Sequence, residues 1–218
     1  MTPGIEAFAD DGSDLEREEI VLGRGAGAAG RTFVALHGLG DTPGAFGEHV
    51  RGIATDARVV VLRAPVAHDA GYAWFPYRGV ETTLAEVTRW SAVALPRVER
   101  CVEAIAGESR GRLHVLGFSQ GAVLSYALAA RRPELLARCL AIAGVLCAEP
   151  AAHAPHRPSV TALHGSEDPA APVALGEASV ARLRAAGYDA NLVVRTSVSH
   201  AVTASLAEVL RAWVCEGG

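Results

Sequence analysis

A serine flanked by glycines two residues to either side, Gly117-Phe118-Ser119-Gln120-Gly121, stands where a β-type run, Leu113 to Leu116, gives way to a helical one beginning near Gln120. At a tight strand-to-helix turn a serine is held in a strained backbone conformation, and the glycines let strand and helix approach closely. The hydroxyl then projects from a sheet edge toward the start of a helix, whose N–H groups favour negative charge. That is an arrangement for nucleophilic attack on an acyl carbon. The plainer alternative is a small residue filling a turn, and the strand that precedes it weighs against this.

A serine hydroxyl is a weak nucleophile. It needs a histidine to take its proton and a carboxylate to orient that histidine, in the chain order serine, acid, histidine for this kind of turn. Asp168 follows the run Val160 to Leu163 in His164-Gly165-Ser166-Glu167-Asp168-Pro169, and His200 lies between the run Ala190 to Val194 and a final helical stretch. Both are expected in loops at the carboxyl edge of a parallel sheet. Glu167 is the rival acid. Asp168 is preferred because Pro169 fixes the turn behind it and the shorter side chain is easier to hold, although a solvated turn is the commoner fate of an Asp-Pro pair. Of the eight histidines only His200 follows the candidate acid, while His37 and His164 precede glycines directly after strands. His153 and His156 have a spacing compatible with metal ligation, but they share a proline-rich loop without a suitably spaced carboxylate or thiolate, so a solvated loop is expected. Hydrolysis of an acyl group also needs two donors for the oxyanion. The helix start offers the N–H of Gln120, and the glycine-bearing loop Leu36-His37-Gly38-Leu39-Gly40-Asp41 offers that of Leu39.

These residues require a sheet to carry them. The runs Thr32–Leu36, Arg58–Leu62, Leu113–Leu116, Cys139–Ile142, Val160–Leu163 and Ala190–Val194 are almost continuously apolar, as strands buried on both faces of a parallel sheet must be. Helices are expected after Ser119 as far as Pro133, from about Val173 to Ala186 before Gly187, and from about Val202 to Val214. The stretch Leu84 to Ile105 has helical spacing interrupted by Pro96, which predicts one kinked helix or two. Gly25-Ala26-Gly27-Ala28-Ala29-Gly30 matches GxGxxG but opens a strand where a dinucleotide fingerprint would open a helix, so a flexible hairpin connection is expected there. Neither a repeat nor a linker divides the chain. The expectation is a flexible acidic tail over 1–19 and a single α/β domain over 20–218.

Composition narrows the chemistry further. The formal net charge of −4 gives no basic footprint for nucleic acid. All twenty basic residues are arginine, which removes Schiff-base chemistry, lysine-anchored pyridoxal phosphate and the P-loop lysine. Cys101, Cys139, Cys147 and Cys215 show no close pairing and read as reduced, mostly buried thiols of a cytoplasmic protein. The opening segment has neither the basic nor the apolar region of a secretory signal. The most apolar stretch, Cys139 to Ala148, is too short to cross a bilayer, so no stable membrane insertion is expected.

Taken together, Leu36-His37-Gly38-Leu39-Gly40-Asp41, Trp74-Phe75, Gly117-Phe118-Ser119-Gln120-Gly121, His164-Gly165-Ser166-Glu167-Asp168 with Pro172, and His200 resemble the phospholipase/carboxylesterase family of α/β-hydrolases, which includes the acyl-protein thioesterases. The resemblance runs from about Phe33 to the last helix. It implies an α/β-hydrolase fold, a mostly parallel sheet with helices on both faces, and a Ser119–Asp168–His200 triad with oxyanion donors at Leu39 and Gln120. It also implies an acyl ester or thioester substrate, no metal or organic cofactor, and the possibility of a homodimer. Ala122 and Ser199 depart from the family's usual glycines without removing a reacting group. Gly71 to Thr83, with Trp74, Phe75 and Tyr77, corresponds to the region that helps shape the acyl pocket in relatives and is short here, which favours short to medium acyl chains; Trp74 and Phe75 are expected at the substrate, with plain core packing as the alternative. Two other readings stay open: a non-catalytic ligand-binding protein on the same fold, and an acyltransferase or peptidase using the same triad.

Overall fold

The computed structural model describes residues 4–22, 30–51, 57–109, 111–151, 153–202, 208–210 and 212–213. Its strands are β1 (Arg17–Leu22), β2 (Arg31–Leu36), β3 (Ala57–Leu62), β4 (Val66–His68), β5 (Gly71–Ala73), β6 (Leu113–Phe118), β7 (Leu136–Ile142), β8 (Ser159–Gly165) and β9 (Ala190–Arg195). The helices are α1 (Pro43–Arg51), α2 (Leu84–Glu108), α3 (Gln120–Arg131) and α4 (Val173–Ala185). Residues 208–210 and 212–213 are also helical, Val202 is not, and the rest of the helix expected over 202–214 lies outside the described residues. Seven strands form one sheet in the order β1-β3-β2-β6-β7-β8-β9, parallel except for β1 at its edge, and β4 and β5 make a separate hairpin.

Alternation along the central strands explains the layering. In β2, Val34 and Leu36 join a core with α2, α3 and α4, whereas Phe33 and Ala35 join a second core with Phe46 and Val50 of α1 and with Leu210 and Trp213. Helices thus cover both faces, and the fully apolar strands follow from that burial. Helix α3 is buried along its whole length up to Ala130, and its alanines and glycine let it lie close against the sheet. Helix α2 starts at a capping box between Thr83 and Glu86 and is not divided by Pro96.

Two expectations need correction. Strand β3 lies between β1 and β2, so the glycine-rich connection is not a hairpin; residues 23–29 themselves lie outside the described residues. Residues 1–19 are not a loose tail where they are described. Phe8 is buried in a short 3-10 turn that packs on α2, Leu15 joins the core that α2 lines, Arg100 of α2 binds Asp10 at 2.6 Å and the Ser13 carbonyl at 2.7 Å, and β1 begins at Arg17. Asp10, Asp11 and Asp14 pair with Arg97 and Arg100 of α2, Glu16 pairs with Arg63 and Glu19 with Arg58, and Phe8 and Leu15 supply the burial. Cys101 and Cys139 are buried and Cys147 is half-buried, all as free thiols, while Cys215 lies outside the described residues. Among the described residues no helix is long and apolar enough to cross a membrane.

Candidate active site

Ser119 sits between β6 and α3 with φ 53° and ψ −114°, a strained conformation for a residue with a side chain. Its surroundings enforce it. The Ser119 N–H donates to the Ile142 carbonyl at 2.9 Å, and the N–H groups of Ala122 and Val123 return to the Ser119 carbonyl. A Cβ on Gly117 would collide with the Gly121 carbonyl, and one on Gly121 would collide with the Leu36 carbonyl at the end of β2. The two glycines therefore permit the crossing of strand, turn and helix that turns the Ser119 hydroxyl outward.

That hydroxyl meets His200. Ser119 Oγ lies 2.9 Å from His200 Nε2, and His200 Nδ1 lies 2.7 Å from Asp168 Oδ2. The carboxylate can only accept, so Nδ1 carries the proton and Nε2 presents its lone pair to the serine. The Asp168 side chain is wholly buried, and its Oδ1 accepts the N–H groups of Ala170 at 2.9 Å and Ala171 at 2.8 Å. The ring of Phe118 backs the imidazole at 5.0 Å between centroids. Glu167 is exposed and plays no part in this line; its N–H donates to the Val198 carbonyl.

The loop bearing Leu39 is tied on several sides. The Ala64 N–H donates to His37 Nε2 at 3.1 Å, so His37 Nδ1 is protonated and donates to the Gly38 carbonyl at 2.7 Å. Burial holds His37 below the ordinary histidine pKa, which keeps it in this neutral form. The Gly40 N–H donates to the Tyr72 carbonyl at 2.9 Å, and the Tyr72 N–H donates to the Asp41 carbonyl at 3.0 Å. Gly71 is required for that approach, since a Cβ there would strike the backbone of Gly40 and Asp41. Leu39 and Gln120 both line the cleft beside Ser119.

Trp74 and Phe75 part company. Phe75 lines the cleft, but Trp74 is fully buried behind the Leu39 loop, where its indole N–H donates to the His37 carbonyl at 2.8 Å. Its expected place at the substrate is corrected: a buried indole N–H needs a hydrogen-bond acceptor, and Trp74 finds it in the His37 carbonyl, away from the cleft lining. The Gln120 side chain joins these parts by accepting the Trp74 N–H and donating to the Phe75 carbonyl.

The cleft over Ser119 has a volume of about 460 Å³. Its walls include Tyr77, from the segment expected to shape the pocket, and residues the sequence does not single out for binding: Leu84 and Val87 in the first turn of α2, Val123 on α3, Ala143 and Val145 after β7, and Leu175 on α4. No Asp, Glu or Arg is among the described residues that line it. His156 is bonded through Nε2 to the Leu136 carbonyl at 2.9 Å and His153 is exposed, and among the described residues no group of three or more potential metal ligands is present.

The parallel sheet, the strained serine turn and the cleft at its carboxyl edge define an α/β-hydrolase. The chain belongs to the phospholipase/carboxylesterase family, whose pattern matches residues 17–213, and it is accordingly a hydrolase of the esterase class. It is 29% identical to esterase YpfH of Escherichia coli (strain K12) over 181 residues, covering 80% of this chain and 77% of that protein. The crystal structure of esterase PE8 superposes with a TM-score of 0.83 at 25% identity, covering 94% of this chain and 99% of the other. The Bacillus cereus carboxylesterase, at 17% identity and a TM-score of 0.73, shares the fold over 98% of this chain and 99% of its own.

Proposed function

We propose that this protein hydrolyses uncharged carboxylic esters or thioesters of short to medium acyl length through a covalent acyl-serine. The observation that carries the reading is the continuous line from Ser119 Oγ through His200 to Asp168, at 2.9 and 2.7 Å. Ser119 Oγ attacks the carbonyl carbon while His200 Nε2 takes its proton, and Asp168 stabilises the resulting imidazolium. The oxyanion is received by the N–H groups of Leu39 and Gln120. As the tetrahedral intermediate collapses, the bond from carbon to the leaving oxygen or sulfur breaks, and His200 returns the proton to the leaving group. Water, deprotonated by His200, then attacks the acyl-serine; its collapse releases the acid and restores the hydroxyl. A cleft without Asp, Glu or Arg in its described lining suits an acyl group without charge.

The test is hydrolysis of p-nitrophenyl esters from acetyl to lauroyl by wild type and Ser119→Ala, with mass spectrometry for an acyl adduct. Turnover highest on short or medium chains, lowered on the order of 10⁶-fold in the variant, with an adduct on Ser119 alone, is expected. Equal rates in both proteins would remove Ser119 from the chemistry. Saturable binding without turnover would favour a ligand-binding role.

A further inference from the structure

His164 is buried, is not used by the reaction described above, and stands at the end of β8 immediately beneath the loop that carries Asp168. Its Nδ1 lies 3.0 Å from the Ala171 carbonyl, an acceptor, so Nδ1 bears the proton and donates. The N–H of the same Ala171 donates to Asp168 Oδ1 at 2.8 Å. The imidazole thus grips one side of a peptide segment whose other side holds the carboxylate. Gly176 of α4 leaves the room it needs: a Cβ there would come within 2.6 Å of His164 Cδ2 and 2.7 Å of Nε2. Burial keeps the ring neutral by holding its pKa below the ordinary histidine value.

We propose that His164 is a positioning residue, whose Nδ1–H fixes Ala171 so that Asp168 Oδ1 is held and Oδ2 is aimed at His200 Nδ1. The proposal rests on Ser119, His200 and Asp168 working together as described. Within 169–171 the backbone N–H groups of Ala170 and Ala171 turn inward to Asp168 Oδ1 and Pro169 has none to donate, so among the described residues the bond from His164 is the one that ties this turn to β8 through a side chain. Without the histidine's bond, Ala171 and the carboxylate would turn together, and His200 would lose the partner that sets its tautomer. Ala171 also lines the cleft, so a purely structural role would disturb substrate binding as much as turnover.

The experiment compares His164→Asn, which places an amide donor near the position of Nδ1, with His164→Gln, which carries it out toward Nε2. Two quantities are read in the intact protein: the low-field proton resonance of His200 Nδ1–H, which needs no substrate, and kcat and KM on the best p-nitrophenyl ester. Wild type and His164→Asn should show the resonance and similar kcat. His164→Gln should lose it, with kcat down about 10- to 100-fold and KM within about twofold. The proposal is overturned if wild type lacks the resonance, if Asn loses it, or if Gln keeps both resonance and kcat. It is also overturned if a Gln loss falls on KM alone. Should Gln fail to fold, the Asn result decides. A wild type that shows the resonance but no Ser119-dependent turnover would defeat the esterase mechanism and leave the positioning role to be judged by the resonance.

Discussion

The side-chain oxygen of Gln120 accepts the backbone N–H of Trp74 at 2.9 Å, across 46 positions of sequence. The same carboxamide donates to the Phe75 carbonyl at 2.8 Å, so it pairs with the segment much as a neighbouring strand would. One residue thereby serves two walls of the cleft. Its backbone stands at the helix start beside Ser119, and its side chain sets where Phe75 lies.

Replacing Gln120 by alanine separates these duties, because the backbone N–H stays and only the clip is lost. Gln120→Ala is expected to leave acetyl ester turnover within about fivefold while raising KM for longer acyl esters about 10-fold, since two buried backbone groups lose their partners and Phe75 is released. Steady-state kinetics across the acyl series check this. A uniform loss of kcat on every substrate would mean that the side chain acts on the oxyanion site itself.

Leu84 makes a second case. It begins α2, lines the cleft and is 51% exposed, so about half of its surface is left for something else to cover. An acyl chain that reached the rim would do so. Leu84→Ser should lower kcat/KM about 3- to 10-fold for octanoyl esters and leave acetyl esters unchanged, as expected for the loss of a few methylene contacts. Equal effects on both would place the acyl chain elsewhere in the cleft.

Backbone crowding at the serine turn gives a stability prediction. The first turn of α3 lies so close to β2 that a methyl group on Gly121 would meet the carbonyls of Leu36, the last residue of the strand, and of His37, which accepts the Trp74 indole N–H. Gly121→Ala should lower the unfolding free energy by about 3 kcal/mol. Urea denaturation followed by far-ultraviolet circular dichroism measures it. A midpoint equal to that of wild type would show that α3 can slide away from the strand.

The serine turn and its partners are legible in the sequence because each is announced locally. Strands that end in glycine-containing turns place Leu39, Ser119 and Asp168, and a loop after the last strand places His200. Pro169 and the shorter side chain favour Asp168 over Glu167 in the sequence, and in three dimensions the turn sends Glu167 to solvent and buries Asp168. What stays hidden depends on partners far along the chain. Nothing in β1 states that it pairs antiparallel with β3, and nothing in Trp74 states that its indole finds the His37 carbonyl. The walls supplied by Leu84 and Leu175 come from helices whose apolar residues look like ordinary core positions. The acidic opening segment gives no local sign of the arginines on α2 that bind it.

Buried histidine also makes stability depend on pH. His114 of β6 is 6% exposed, stacked on Phe33 at 4.8 Å and edge-on to Trp213 at 6.1 Å. Burial first, and then the charges of Arg31 and Arg138, lower its pKa from 6.5 to about 4. Between these values the unfolded chain binds a proton that the folded protein refuses, so stability falls as the pH drops from 6.5 toward 4 and levels off below. The loss between pH 7 and pH 5 should be about 2 kcal/mol from this residue. His37 and His164, both held below the ordinary value by burial, act in the same direction. His114→Phe, which can keep the stack on Phe33, should flatten this part of the profile: its loss of unfolding free energy from pH 7 to pH 5 should be smaller than the wild-type loss by that amount. Denaturation of both proteins at the two pH values decides it, and parallel losses would show that His114 accepts its proton inside the fold.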